Sequence, residues 1–185
     1  MTIPLAERRR AARHGRAVAY WAAMIALFLS LWVGISVSPP AWVYYPALFL
    51  HLAAVVVGLG SAVMLEVTGL LWMARRSTLG DLRRVERTVS GLAWLGIGGL
   101  FATGAFLQPD LSDPLTVIKM LAVLVAAMNG VAITKLNAEL SRLPGTVRYT
   151  ALPRNLRLWC LWSALVSQAA WWTAVIVGML NTASN

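Results

Sequence analysis

The sequence predicts an all-α fold, a five-helix transmembrane bundle forming a single integral membrane domain over residues 1–185, and three observations predict it. The first is composition. The 185 residues are 59% apolar and only 12% charged, with a mean hydropathy of +0.69. A soluble domain of this size is roughly a quarter charged, and its core is too small to hide so large an apolar fraction. The second is run length: five stretches are long enough to cross hydrocarbon, which takes about 20 residues at a rise of about 1.5 Å each. The third is the clustering of basic residues in alternate connections. Lipid offers bare backbone groups no partners, and the apolar runs lack the alternation of a barrel strand, so each span must be a helix.

The spans follow in order. Val18 to Val37 is the first, entered through an arginine-rich segment; the run is longer than the apolar region of a signal peptide, so it reads as an anchor. Ser38-Pro39-Pro40 stops it, and Pro46 to Met73 forms the second. Asp81 is placed to cap a short amphipathic extension through Leu82 and Val85 into the third span, Val89 to Gln108. Pro109 and Pro114 bracket a turn before the fourth, Leu115 to Thr134, and Pro144-Gly145 marks a turn in the longest connection. Leu158 to Leu180 is the fifth.

Of the 16 Lys and Arg residues, only Lys119 lies away from the N-terminal segment and the connections between spans two and three and between spans four and five. The opposite connections carry Asp110 and Asp113 and no base. The positive-inside rule then puts the N-terminus in the cytoplasm and the C-terminus outside, in a plasma membrane of bacterial inner-membrane type. The net charge of +9 is accounted for by topology and by anionic lipid headgroups, which argues against a nucleic-acid partner. Most Trp and Tyr residues fall near span ends as an interfacial belt: Tyr20, Trp21, Trp72, Trp94, Trp159 and Trp162 inside, Trp32, Trp42, Tyr44 and Tyr45 outside. Trp171 and Trp172 lie deeper, where they pack on neighbouring helices or lipid.

Chemistry is sought at the costly positions. Three ionisable groups lie within spans: His51, Glu66 and Lys119. On span two, His51, Val55, Gly58, Ala62, Leu65, Glu66 and Gly69 share one face at about 100° per residue. Lys119, Ala122, Ala126, Asn129 and Gly130 form a similar stripe on span four, so helices two and four are expected to pack face to face. Glycines 91, 96, 98, 99 and 104 of span three also permit close approach. Counting along the helices puts His51 and Lys119 at one outer level, roughly 6 to 8 Å in, and Glu66 with Asn129 at an inner level, with Gln168 of span five within reach of either. Each residue also has a plain structural use. His51 can bond a carbonyl or hydroxyl, Lys119 can snorkel toward Asp110 or Asp113, and Glu66 can be a protonated carboxyl bonded across to span four.

Other chemistries find little. The single cysteine, Cys160, excludes an internal disulfide or thiolate cluster. No G-x-S-x-G motif accompanies His51, and the G-x-G pairs at 58–60 and 96–98 lie within spans, where they serve packing. Met64, Met120 and Met128 are soft enough to bind copper or haem, but in apolar helices they fill space.

The segments PALFLHLAAVVVGLG, RRVERT and DPLTVIKMLAVLVAAMNG, within residues 46–135, together resemble the copper-resistance D (CopD) family and, more loosely, HemJ-type protoporphyrinogen oxidases. The shared order is a helix-borne His followed by Gly, an Arg-rich loop, a glycine-rich helix, then a helix opening with Lys and carrying Asn. The resemblance implies a helical bundle in which His51 binds a metal or haem with Lys119 close by, the cofactor being a copper ion or haem b. Only His51 lies in a span, so haem ligation by one chain would pair it with Met or Lys. From the residues themselves, the reading is a polar seam of Glu66, Lys119, Asn129 and Gln168, with His51, that binds or translocates a small cation, proton or metal ion. A b-type haem redox protein, or a non-catalytic subunit of a homo-oligomer or larger membrane complex, are the alternatives.

Overall fold

The computed structural model describes residues 5–183. They form α1 (Leu5–Ser36), α2 (Ala41–Met73), α3 (Leu79–Gly104), α4 (Pro114–Leu140), a single 3₁₀ turn at Tyr149–Ala151, and α5 (Arg154–Ala183), with no strand among them. Four of the five helices, α1, α2, α4 and α5, are long and apolar enough to cross a membrane, which makes this a multi-pass membrane protein. Large side chains such as Phe28, Phe49 and Leu165 are exposed on their outer faces, a surface suited to lipid.

The helix ends have local causes. Pro114 occupies the first turn of α4, and the Asp113 carboxylate accepts from the backbone N–H groups of Leu115 and Thr116 at 3.1 and 3.0 Å. α2 ends where Arg75 turns to φ 62° and Arg76 N–H reaches back to Leu71 O at 2.8 Å, closing the last carbonyls. α3 begins ten residues before the expected span because Thr78, rather than Asp81, is its cap. Thr78 Oγ1 accepts from Asp81 N–H at 3.1 Å while the Asp81 carboxylate accepts from Thr78 N–H at 3.0 Å, a reciprocal capping box. Its other end unwinds at Gly104 instead of Gln108, since Pro109 crowds the residue before it out of the helical region and Gln108 sits at φ 47°.

Pairing follows the short connections. α2 lies along α3, α4 lies along α5, and α1 leans on α3 and α4. The expected face-to-face packing of α2 on α4 does not occur. The small residues of α2 are instead met by glycines of α3: a Cβ on Gly96 would stand 2.6 Å from Gly58 Cα, and one on Gly99 would stand 2.8 Å from Ala54 Cβ. A five-residue linker makes antiparallel neighbours of α2 and α3, and their backbones then touch because neither bears a side chain there.

Two apolar clusters join the helix pairs. At mid-height Ala62, Ile97, Leu100, Ala126, Ala127 and Ala170 surround Trp171, which is 4% exposed and whose ring lies on Gly58. At the basic end, where the 74–78 and 141–153 connections meet, Trp72, Leu79, Leu136, Leu140 and Leu152 pack together. Trp72 was expected in the interfacial belt and is instead buried. Its Nε1–H donates to Val147 O at 2.9 Å and its ring meets Tyr149 edge-on, so the folded connection gives the indole a polar partner that lipid headgroups would otherwise supply. Gly80 N–H donates to Gly145 O at 3.0 Å, and the Arg83 guanidinium donates to Leu140 O and Leu143 O at the C-terminus of α4.

Candidate functional site

The polar residues fall into two groups separated by the Trp171 cluster. In the first, remote from the basic end, His51 Nδ1 lies 2.8 Å from Thr103 Oγ1. The Thr103 hydroxyl donates its proton to Gly99 O at 2.6 Å, so His51 must be the donor to Thr103, and Nε2 then carries the free lone pair. His51 and Lys119 line one small cavity of ≈ 30 Å³ with Val55, Leu100, Val123 and Trp171, so the two residues are brought together in space. Lys119 is half-buried and Asp113 is close enough for its charge to act on it. Nearby, Asn181 donates to Thr116 Oγ1 at 2.9 Å, tying the end of α5 to the start of α4.

This pocket is too small for a porphyrin. It has room for about one water, and no methionine or second histidine lines it. Among the described residues no three His, Cys, Asp or Glu side chains gather as a metal site.

The second group lines a far larger space. Between the α2–α3 pair and the α4–α5 pair, below Trp171, lies a cavity of ≈ 780 Å³. Its walls are mostly apolar, including Leu65, Leu79, Leu82, Ile133, Leu136 and Leu161. Glu66 faces into it from α2, and Ser167 and Gln168 of α5 stand alongside its carboxyl. Glu66 Oε1 and Gln168 Nε2 are nonetheless both buried without a hydrogen-bond partner. Gln168 Oε1 is engaged, accepting from Trp172 Nε1–H at 2.7 Å. Asn129 sits one layer back from Glu66: its amide donates to Ser163 O at 2.9 Å and accepts from Ser163 Oγ at 3.1 Å, and Ser163 lines the cavity. Glu66 and Gln168 are therefore brought together, whereas Asn129 locks α4 to α5.

Sequence reading missed the lower wall of this cavity. Arg83, Glu86 and Arg87 of α3 line it, and Asn137 of α4 donates to Glu86 Oε1 at 2.7 Å across the gap between the two helices. The helical extension from Asp81 through Leu82 and Val85 was expected, but which helix its polar residues 83, 86 and 87 would meet was not, and the structure turns them toward α4. The two polar groups do not form one continuous path, because His51 and Glu66 are fifteen residues apart on α2, about 22 Å along the axis, with Gly58 and Trp171 between them. No family model, curated protein or solved structure matches this chain.

Proposed function

We propose that the protein binds and translocates a small cation or proton across an inner membrane, with Glu66 as the titrating group of the inner station and His51 with Lys119 as the outer one. Five spans and a cytoplasmic N-terminus complete the reading. The contact of α3 with α2 from Gly96 and Gly99 to Thr103 supports reading α3 as the fifth span. Every Lys and Arg but Lys119 belongs to the N-terminal segment, the basic end or the helix ends beside it, which makes that end cytoplasmic and the C-terminus external.

The observation that carries this reading is the Glu66 carboxyl, facing a large, mostly apolar cavity with one oxygen buried and unpaired. A carboxyl at such depth persists at a cost unless it takes up a proton or a cation. The cavity lies on the basic side of the Trp171 cluster, so the outer station is sealed off from it, as in one half of an alternating-access cycle. Passage then requires Trp171 to leave Gly58. Reconstituted in liposomes, Glu66→Gln and His51→Ala each lower pH-driven or cation flux by about tenfold or more. Flux unchanged in both variants overturns the proposal.

A further inference from the structure

We infer that the ligand of the Glu66 cavity is a lipophilic amine, an organic cation with an apolar body, that enters sideways from the bilayer between α2 and α5. The inference rests on the reading of Glu66 as a cation station and names the class of cation.

Size comes first. A bare inorganic cation or a proton needs a few ligand oxygens within bonding distance, whereas ≈ 780 Å³ is the volume of a pocket for an organic molecule. Composition comes next. The walls are mostly hydrocarbon, so the body of the ligand must be apolar to gain from leaving water. The polar groups then specify the head. Glu66 Oε1 is buried with no hydrogen-bond partner of its own, while Ser167 and Gln168 stand beside the same carboxyl without satisfying that oxygen. An ammonium supplies the missing donor to a carboxylate, with the strength of a charge-assisted bond. The cations already in the cavity wall do not replace it. Arg83 spends one terminal nitrogen on the carbonyls of Leu140 and Leu143 and keeps Nε buried and unpaired on α3, and Arg87 is exposed. Glu86, the other acid there, is bonded by Asn137, whereas Glu66 keeps one oxygen open to a donor.

The route follows from the walls. Toward the basic end Trp72, Leu79 and Leu140 floor part of the cavity while the exposed Arg87 and Ser141 line its edge, and the Trp171 cluster lies above. Between α2 and α5, which touch only sparingly, the rim is formed by Leu70, 59% exposed, Leu161, 40%, and Leu165, 64%. These leucines belong at once to the cavity and to the lipid-facing surface. An amphiphile dissolved in the leaflet meets this gap without crossing water.

The test uses two isosteres, 4-phenylbutylamine and 4-phenylbutanol, titrated into the full-length protein in lipid nanodiscs with empty nanodiscs as the blank. The wild type binds the amine at least about tenfold more tightly than the alcohol, the ratio expected of a hydrogen bond to a charged group. In Glu66→Gln the preference for the amine disappears while the alcohol binds as before, which also shows that the cavity is intact. Leu165→Trp slows association of both compounds. Equal affinity of amine and alcohol in the wild type, or no saturable binding of either, overturns the inference. Sodium, potassium or proton flux that depends on Glu66 in a protein indifferent to the amine overturns it too, while leaving the broader cation reading in place. An unchanged association rate in Leu165→Trp overturns the lateral route.

Discussion

Gly96 is the residue on which the α2–α3 contact turns. A methyl added there would meet backbone on all sides, with Gly58 Cα at 2.6 Å, Gly58 N at 2.7 Å and Ala54 O at 2.9 Å, so no side chain can rotate away to relieve it. Gly96→Ala is expected to destabilise the protein by about 2 kcal/mol or more through overpacking. Two positions on, a Cβ at Gly98 has nothing within 4 Å, so Gly98→Ala is neutral or slightly stabilising. Thermal unfolding of both variants in the same detergent checks the pair, and equal midpoints would mean that the close approach does not exist. The same scale explains the tautomer of His51. One hydroxyl proton, spent by Thr103 on Gly99 O, sets which histidine nitrogen is left with a lone pair beside Lys119.

At the scale of the element, α3 joins a polar first half to an apolar, glycine-rich second half, and its beginning depends on the Thr78 to Asp81 box. The Thr78 hydroxyl and then the Thr78 N–H, both donating to the carboxylate, hold Asp81 below its ordinary value of 3.8. A carboxyl whose value is lowered by folding stabilises the folded state while ionised. Its contribution is therefore complete above the ordinary value and fades as the pH falls through the lowered one. Wild-type protein should lose more thermal stability than Asp81→Asn between about pH 6 and about pH 3. Parallel melting curves for the two proteins would refute the assignment. The extra turns begun by this box carry Arg83 to the α4 carbonyls and Glu86 to Asn137, so a cap at residue 78 shapes the floor of the cavity.

For the whole molecule, the two helix pairs are held at mid-height by Trp171 on Gly58 and at the basic end by the interlocked connections, and they gape in between. That arrangement places a ligand-sized space at the depth of Glu66 and leaves the pocket of His51 and Lys119 with room for about one water. It also carries a topological expectation. A reporter active only in the cytoplasm should work when inserted after Arg76 or Pro144 and fail when inserted after Asp110 or fused at the C-terminus. The reverse pattern, or activity at both ends, would remove the inner and outer stations from the sides assigned to them.

The helical class, the membrane environment and the positions of most spans were legible in one dimension, because they depend on run length and on where charges cannot go, and neither depends on what a helix packs against. His51 with Lys119 was legible for a related reason: depth along a helix is a count of residues. The pairing of α2 with α3, the burial of Trp72 and the large cavity were not. Small residues mark a face that admits a neighbour without naming which neighbour, and the stripes of α2 and α4 matched as well on paper as α2 and α3 do in space. Empty volume has no residue of its own. It exists because the two helix pairs meet at Gly58 and again at Gly80 and stand apart between those points, which no single residue announces.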